Sequence, residues 1–196
     1  MPMTDLDIVT TARSLVDISQ RVIDAVLARI AEVTEGGAGI DDNQVQVERV
    51  AYLATQVRAA HELVASVEEL READARDAQQ EGAALVYAAE ATHALRSAIE
   101  LTRDDLSVDA VAELDSPELR NAIRAGLDEA RVRELGRHAI ATLGVNNIDL
   151  RDEVAMLTRE TARDFARNEV VPRAQEIHRE DLLVPDDLIE RFASLG

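Results

Sequence analysis

Apolar residues recur at steps of three and four along most of this chain, the spacing that places side chains on one stripe of an α-helix. The first stripe is Ile8, Ala12, Leu15, Ser19, Val22, Val26, Ile30 and Val33, and it predicts a helix from about Thr4 to Val33. Thr4, Asp5 and Asp7 suit its N-terminus, where a side-chain oxygen and negative charge meet unpaired N–H groups. In the stretch EGGAGIDDNQ, Gly36 and Gly37 supply the left-handed conformation that commonly ends a helix, and Asp41, Asp42 or Asn43 is placed to cap the next one.

A second helix runs from about Asn43 into the seventies, with Val47, Val50, Ala54, Val57, His61 and Val64 on one face. The charged run EELREADARDAQQEG follows, and periodicity leaves open whether it continues the helix or bends between two. A third helix is predicted from about Gln79 to Arg103 on the stripe Leu85, Ala88, Thr92, Leu95 and Ile99, with small residues that let a neighbour approach closely. After a short segment near Ser107 to Leu114, Ser116 followed by Pro117 and Glu118 is a strong helix start: a capping hydroxyl, then a proline whose missing N–H costs nothing.

Leu119, Ile123 and Leu127 share one face, whereas Val132, Leu135, Ala139 and Leu143 lie on another. A break at Gly126 to Asp128, with Asp128 as a new cap, accounts for the change. Gly144, Asn146 and Asn147 close that piece, and Asp149 caps the next helix, whose stripe is Leu150, Val154, Leu157, Thr161 and Phe165. Pro172 interrupts this helix, because its ring meets the carbonyl of Asn168 and it lacks a donor; a bent helix is expected to continue to about Arg179. Pro185 opens a final short helix carrying Leu188, Phe192 and Leu195. No alternating pattern suggests a strand. The reading is all-α: an antiparallel helical bundle over residues 1–147, with core residues Leu15, Val22, Val26, Val50, Val57, Leu85, Leu95 and Ile99, followed by a separate helical segment over 148–196.

Composition narrows the function. The chain of 196 residues is 46% hydrophobic but only 2% aromatic, so its core must be built from aliphatic side chains. A net charge of −18 disfavours nucleic acid and anionic membranes as partners. No apolar run reaches the length of a membrane span, and the acidic N-terminus does not resemble a signal peptide, which leads us to expect a cytoplasmic protein. With no cysteine there are no disulfides, thiolate nucleophiles or thiolate metal sites.

Phe165, Ala166, Glu169, Val170, Pro172, Ala174, Pro185, Ile189, Ala193, Leu195 and Gly196 stand at spacings that resemble the opening of acyl-CoA dehydrogenases. His178 departs from the pattern, since many members carry aspartate there. The resemblance covers about Leu150 to Gly196. It implies that residues 148–196 are the start of an incomplete N-terminal α-domain, that the chain is an N-terminal portion of the enzyme, and that FAD and an acyl-CoA substrate belong to the full-length protein. The long helical extension, together with IHREDLLVPDDLIERFASLG, is similar to the branch of the family that oxidises methylsuccinyl-CoA to mesaconyl-CoA. The helices QVERVAYLATQVRAAHELVASV and QEGAALVYAAEATHALRSAIEL resemble the paired helices of the family's C-terminal domain, which pack subunits together. A homo-oligomer, or packing against the remainder of the dehydrogenase, is therefore implied; the competing reading is a stand-alone helical interaction module without catalytic activity.

Individual residues yield no site of their own. Glu90 and His93 have the Glu-x-x-His spacing of di-iron bundles, but the required second pair is missing. His61 lies in an apolar stripe and reads as a hydrogen-bonded core or interface histidine. His138 and His178 lack partners in a catalytic spacing. Glu68, Glu69, Glu72, Asp74 and Asp77, interleaved with Arg71 and Arg76, read as a solvated helix face with i,i+4 pairing. The glycines of EGGAGI follow no strand and precede carboxylates, which argues against a phosphate cradle. No catalytic, cofactor-binding or metal residue is assigned, and none of FAD's binding residues is expected in this chain alone.

Overall fold

The computed structural model describes residues 5–101, 108–144 and 153–195, and these are helical with no strand among them. Contacts divide the chain into two units, residues 1–147 and 148–196. Thr4, Arg103, Ser107, Asn146, Asn147, Asp149, Leu150 and Gly196, and the side chains of Asp5 and Asp7, lie outside what is described.

In the first unit, three long helices pack against one another: α1 (Asp5–Val33), α2 (Gln44–Glu72) and α3 (Ala78–Leu101). All eight residues named above as core are buried, and the stripes they belong to converge on one aliphatic cluster. Two polar members of those stripes are buried with them. Ser19 and Thr92 share a hydrogen bond of 2.9 Å between α1 and α3, and the Thr92 hydroxyl also lies 2.7 Å from the Ala88 carbonyl one turn earlier. Burial therefore leaves neither hydroxyl unsatisfied.

The connections follow local chemistry. Gly36 and Gly37 take φ of 70° and 108° after α1, as the sequence requires. The expected cap of α2 does not form: Asn43 occupies the capping position without a side-chain bond to the helix, and its amide instead donates to the Gly39 carbonyl at 2.9 Å. Two short 3-10 turns, Glu35–Gly37 and Asp41–Asn43, fill the loop and satisfy backbone groups that a cap would otherwise have taken. The charged run proves to be a break, with α2 ending at Glu72 and Asp74 in the left-handed region at φ 55°.

Beyond α3, a 3-10 turn (Asp109–Asp115) leads to α4 (Pro117–Gly126), capped by Ser116 through the Leu119 N–H, and α5 (Glu129–Ala141), capped by Asp128 through Ala130 and Arg131. The break between α4 and α5 falls where the stripe changes face. Val132, Ile140 and Leu143 are exposed, so the apolar face of α5 is largely uncovered. At Gly126, a Cβ would stand 2.5 Å from the Ala89 Cβ and 3.3 Å from the Leu85 carbonyl oxygen, so α4 approaches α3 more closely than any side chain permits.

The second unit is one long helical rod followed by a short helix: α6 (Glu153–Phe165), a π turn (Ala166–Val170), α7 (Val171–Arg179) and α8 (Asp186–Ala193). Pro172 sits in the first turn of α7, and the interruption expected there takes the form of the π turn, whose wider ring accommodates a residue that cannot donate. No described helix is long and apolar enough to cross a membrane.

Two substitutions test this packing by chemical denaturation. Leu95→Ala, at a side chain with no exposed surface, is expected to cost about 2–5 kcal/mol. Gly126→Ala should cost about 1–3 kcal/mol despite alanine's better helix propensity, because the clash is with backbone and an inflexible methyl. Adding Ala89→Gly should recover part of that loss. A stabilised Gly126→Ala protein would show that the helices are not in close approach.

Candidate functional site

The clearest concave surface of the second unit is an open apolar cleft of about 590 Å³ between the α6–α7 rod and α8, lined chiefly by Phe165, Val170, Ile177, Leu182, Ile189 and Phe192. Its sides are fixed at three points. The rings of Phe165 and Phe192 meet with centroids 5.4 Å apart and planes tilted by 57°, a favourable aromatic contact. Arg173 grips Asp187 through two bonds of 2.7 and 3.1 Å, and Arg191 reaches Glu169 at 2.8 Å. The Arg173 hydrogen bond holds the Asp187 carboxyl below its ordinary pKa, and the same bond raises that of Arg173.

Apolar surface greatly exceeds what this unit buries. Leu188 is its one buried residue among those described, whereas Leu183 is 91%, Val154 72% and Leu157 65% exposed. The stripe predicted for α6 thus exists as a helical face but is not covered within its own unit.

Residues 152–196 match the family model of the acyl-CoA dehydrogenase N-terminal domain. The match likens this segment to the N-terminal domain of that family and leaves residues 1–151 outside it. Comparison with curated proteins and with solved structures gives no match.

Acyl-CoA dehydrogenases use FAD, and the described residues around the cleft of the second unit do not fit it. A flavin diphosphate needs unpaired cations or helix N-termini free of carboxylates. Here the starts of α6 and α8 carry Glu153, and Asp186 with Asp187. The arginines beside the cleft, Arg173 and Arg191, are already bound to carboxylates. No flavin step is therefore derived from these residues.

The candidate residues are dispersed. His178 and Asp181 are the polar members of the cleft lining. Glu90, His93 and His138 are exposed. His61 is half-buried, but the hydrogen bond expected of it is absent: its Nδ1 has no hydrogen-bond partner and lies 3.9 Å from the Glu62 carboxylate. That stripe position brings the imidazole to the edge of the core, where packing and not polar pairing holds it. Among the described residues, no group of three or more His, Cys, Asp or Glu side chains could hold a metal ion.

The ionisable residue that sequence reading missed is Glu81. Only 1% exposed, it receives Arg71 Nε at 2.5 Å and Nη2 at 2.8 Å, and Arg76 Nε and Nη2 at 3.0 Å each. The pairing expected within the acidic cluster is thus corrected. Arg71 and Arg76 reach forward across the α2–α3 turn, and Glu68 is bound by Arg13 of α1, with Arg13 Nε at 2.9 Å. Both oxygens of Glu81 are occupied, which makes the group a clamp on the turn and unsuited to acid–base chemistry. Burial pushes its pKa up, but hydrogen bonds and charge from Arg71 and Arg76 outweigh this and hold it below the ordinary value.

A lowered folded pKa means that Glu81 contributes its full stability above the unfolded value, about pH 4.3, and loses it as pH falls through the folded value. Glu81→Gln should cost about 1–3 kcal/mol at neutral pH. The difference from wild type should shrink as the solution is acidified below about pH 4. Urea unfolding of both proteins across that window checks it; a gap that widens on acidification would show that the ionised carboxylate is not the stabilising form.

Proposed function

We propose that this chain is the N-terminal portion of a cytoplasmic, FAD-dependent acyl-CoA dehydrogenase whose full-length form oxidises methylsuccinyl-CoA to mesaconyl-CoA. The observation that carries the reading is the family match over residues 152–196. The uncovered faces of α6 and α8 support it, because Val154, Leu157, Ile189 and Phe192 need a further domain to exclude water from them. In this reading residues 148–196 begin the N-terminal α-domain. The bundle of residues 1–147 serves a structural role like an intersubunit contact, within a homo-oligomer or against the rest of the enzyme. Flavin and thioester are held by sequence other than that described here, and no described residue is given a catalytic role.

The test compares this 196-residue polypeptide with the product of the complete reading frame. The long form is expected to purify with flavin absorbance and to reduce an artificial electron-accepting dye when given methylsuccinyl-CoA, and the short form to do neither. Stoichiometric flavin or turnover in the short form would overturn the assignment of chemistry to other sequence. A reading frame that terminates after Gly196 would favour the interaction module instead.

A further inference from the structure

We propose that the first unit binds a small organic dianion, a phosphate monoester or a dicarboxylate, in a cleft between α3 and α4. The cleft has a volume of about 370 Å³ and is lined by His93, Arg96, Arg120, Ile123, Arg124 and Leu127. That size lies within the range of small-molecule pockets. Three guanidiniums and an imidazole thus surround one hollow of a protein in which 39 acidic residues outnumber 21 basic ones.

The helices explain how the groups come together. His93 and Arg96 stand three apart on α3, while Arg120 and Arg124 on α4 and Leu127 at its C-terminal cap follow at steps of four and three, so each set shares one face. Leu119, Ile123 and Gly126 seat α4 on the core, and the close approach at Gly126 fixes its distance from α3. Ile123 and Leu127 form an apolar floor on which a short carbon skeleton can rest.

Charge balance points to a ligand. Arg120 and Arg124 make no ion pair among the described residues, although like charges four apart on a helix repel each other. Arg96 is partly engaged: its Nη2 lies 3.3 Å from Asp115 and its Nη1 3.8 Å from Glu100. Its Nε is buried without an acceptor. Glu90 and Glu100 on α3, Asp115 and Glu118 at the start of α4 and Asp128 just after it are acids nearby in sequence, and among the described residues none forms an ion pair with Arg120 or Arg124; Asp128 is turned to cap α5. An oxyanion matches these forked donors and offsets their repulsion. A doubly charged one matches the two unpaired guanidiniums of Arg120 and Arg124 charge for charge.

Isothermal titration at low ionic strength tests the site with inorganic phosphate, glycerol 3-phosphate and glutarate as probes. No flavin or acyl-CoA is involved, so the result is independent of the dehydrogenase reading. One saturable site is expected, with tighter binding of glycerol 3-phosphate or of glutarate identifying whether the cleft takes a phosphate monoester or a dicarboxylate. Arg120→Gln and Arg124→Gln should each weaken binding by about tenfold. Arg58→Gln, on α2 and paired with Glu62 at 2.6 Å, should leave binding unchanged, and circular dichroism checks that all variants keep their helix content. Absence of saturable binding by all three probes up to ~10 mM would overturn the proposal, as would equal affinity in the wild type and both cleft variants.

Discussion

Everything in the first unit rests on α3 being small enough to be surrounded. Ala84, Ala88, Ala89 and Ala91 are buried along it, interleaved with Leu85, Thr92, Leu95 and Ile99. A helix so lightly substituted can meet α1 and α2 on one side and α4 on another without forcing them apart. With no tryptophan in the chain and neither phenylalanine in this unit, aromatic filling is slight: Tyr87 packs against the core only partly buried, and Tyr52 is exposed. Density must come from backbone proximity, and the absence of a Cβ at Gly126 is the extreme case of that solution.

Electrostatics complements the packing at places where aliphatic surface runs out. The α2–α3 turn closes on a buried carboxylate held by two guanidiniums, and α1 is tied to α2 by Arg13 and Glu68. Desolvating one carboxylate beside two partly solvated arginines is less costly than burying an entire pair, since the cations keep contact with water. The same economy explains how a chain with eighteen excess negative charges holds helices side by side: local cations are spent where elements join.

Helix positions, breaks and core faces were legible in the sequence because each depends on neighbours a few residues away. Ser116 with Pro117 and the recapping Asp128 are local devices, and both act as their residue types demand. Glu81 was not legible, because its partners come from across a turn and the run around it reads as uniformly charged. The cap expected from Asp41, Asp42 or Asn43 does not form, since the Asn43 amide at the capping position is taken by the Gly39 carbonyl, an acceptor presented only by the loop's own folding. The stripes on α5 and α6 show a further limit: periodicity identifies an apolar face but carries no information on whether anything lies against it. The family resemblance was legible for a different reason, as a set of spaced residues in the last stretch, and the matched segment coincides with it.

The π turn decides which side chain looks into the cleft of the second unit. In an uninterrupted α-helix the residue one turn beyond Phe165 on the same face is Glu169, four positions on. The wider turn makes the step five, so Val170 takes that place, and Ala174 and Ile177 follow at ordinary steps of four and three along the lining. Glu169 is carried round to meet Arg191. One surplus residue in the helical count therefore exchanges a carboxylate for a valine on an apolar wall, and hands the carboxylate to the neighbouring helix as an anchor.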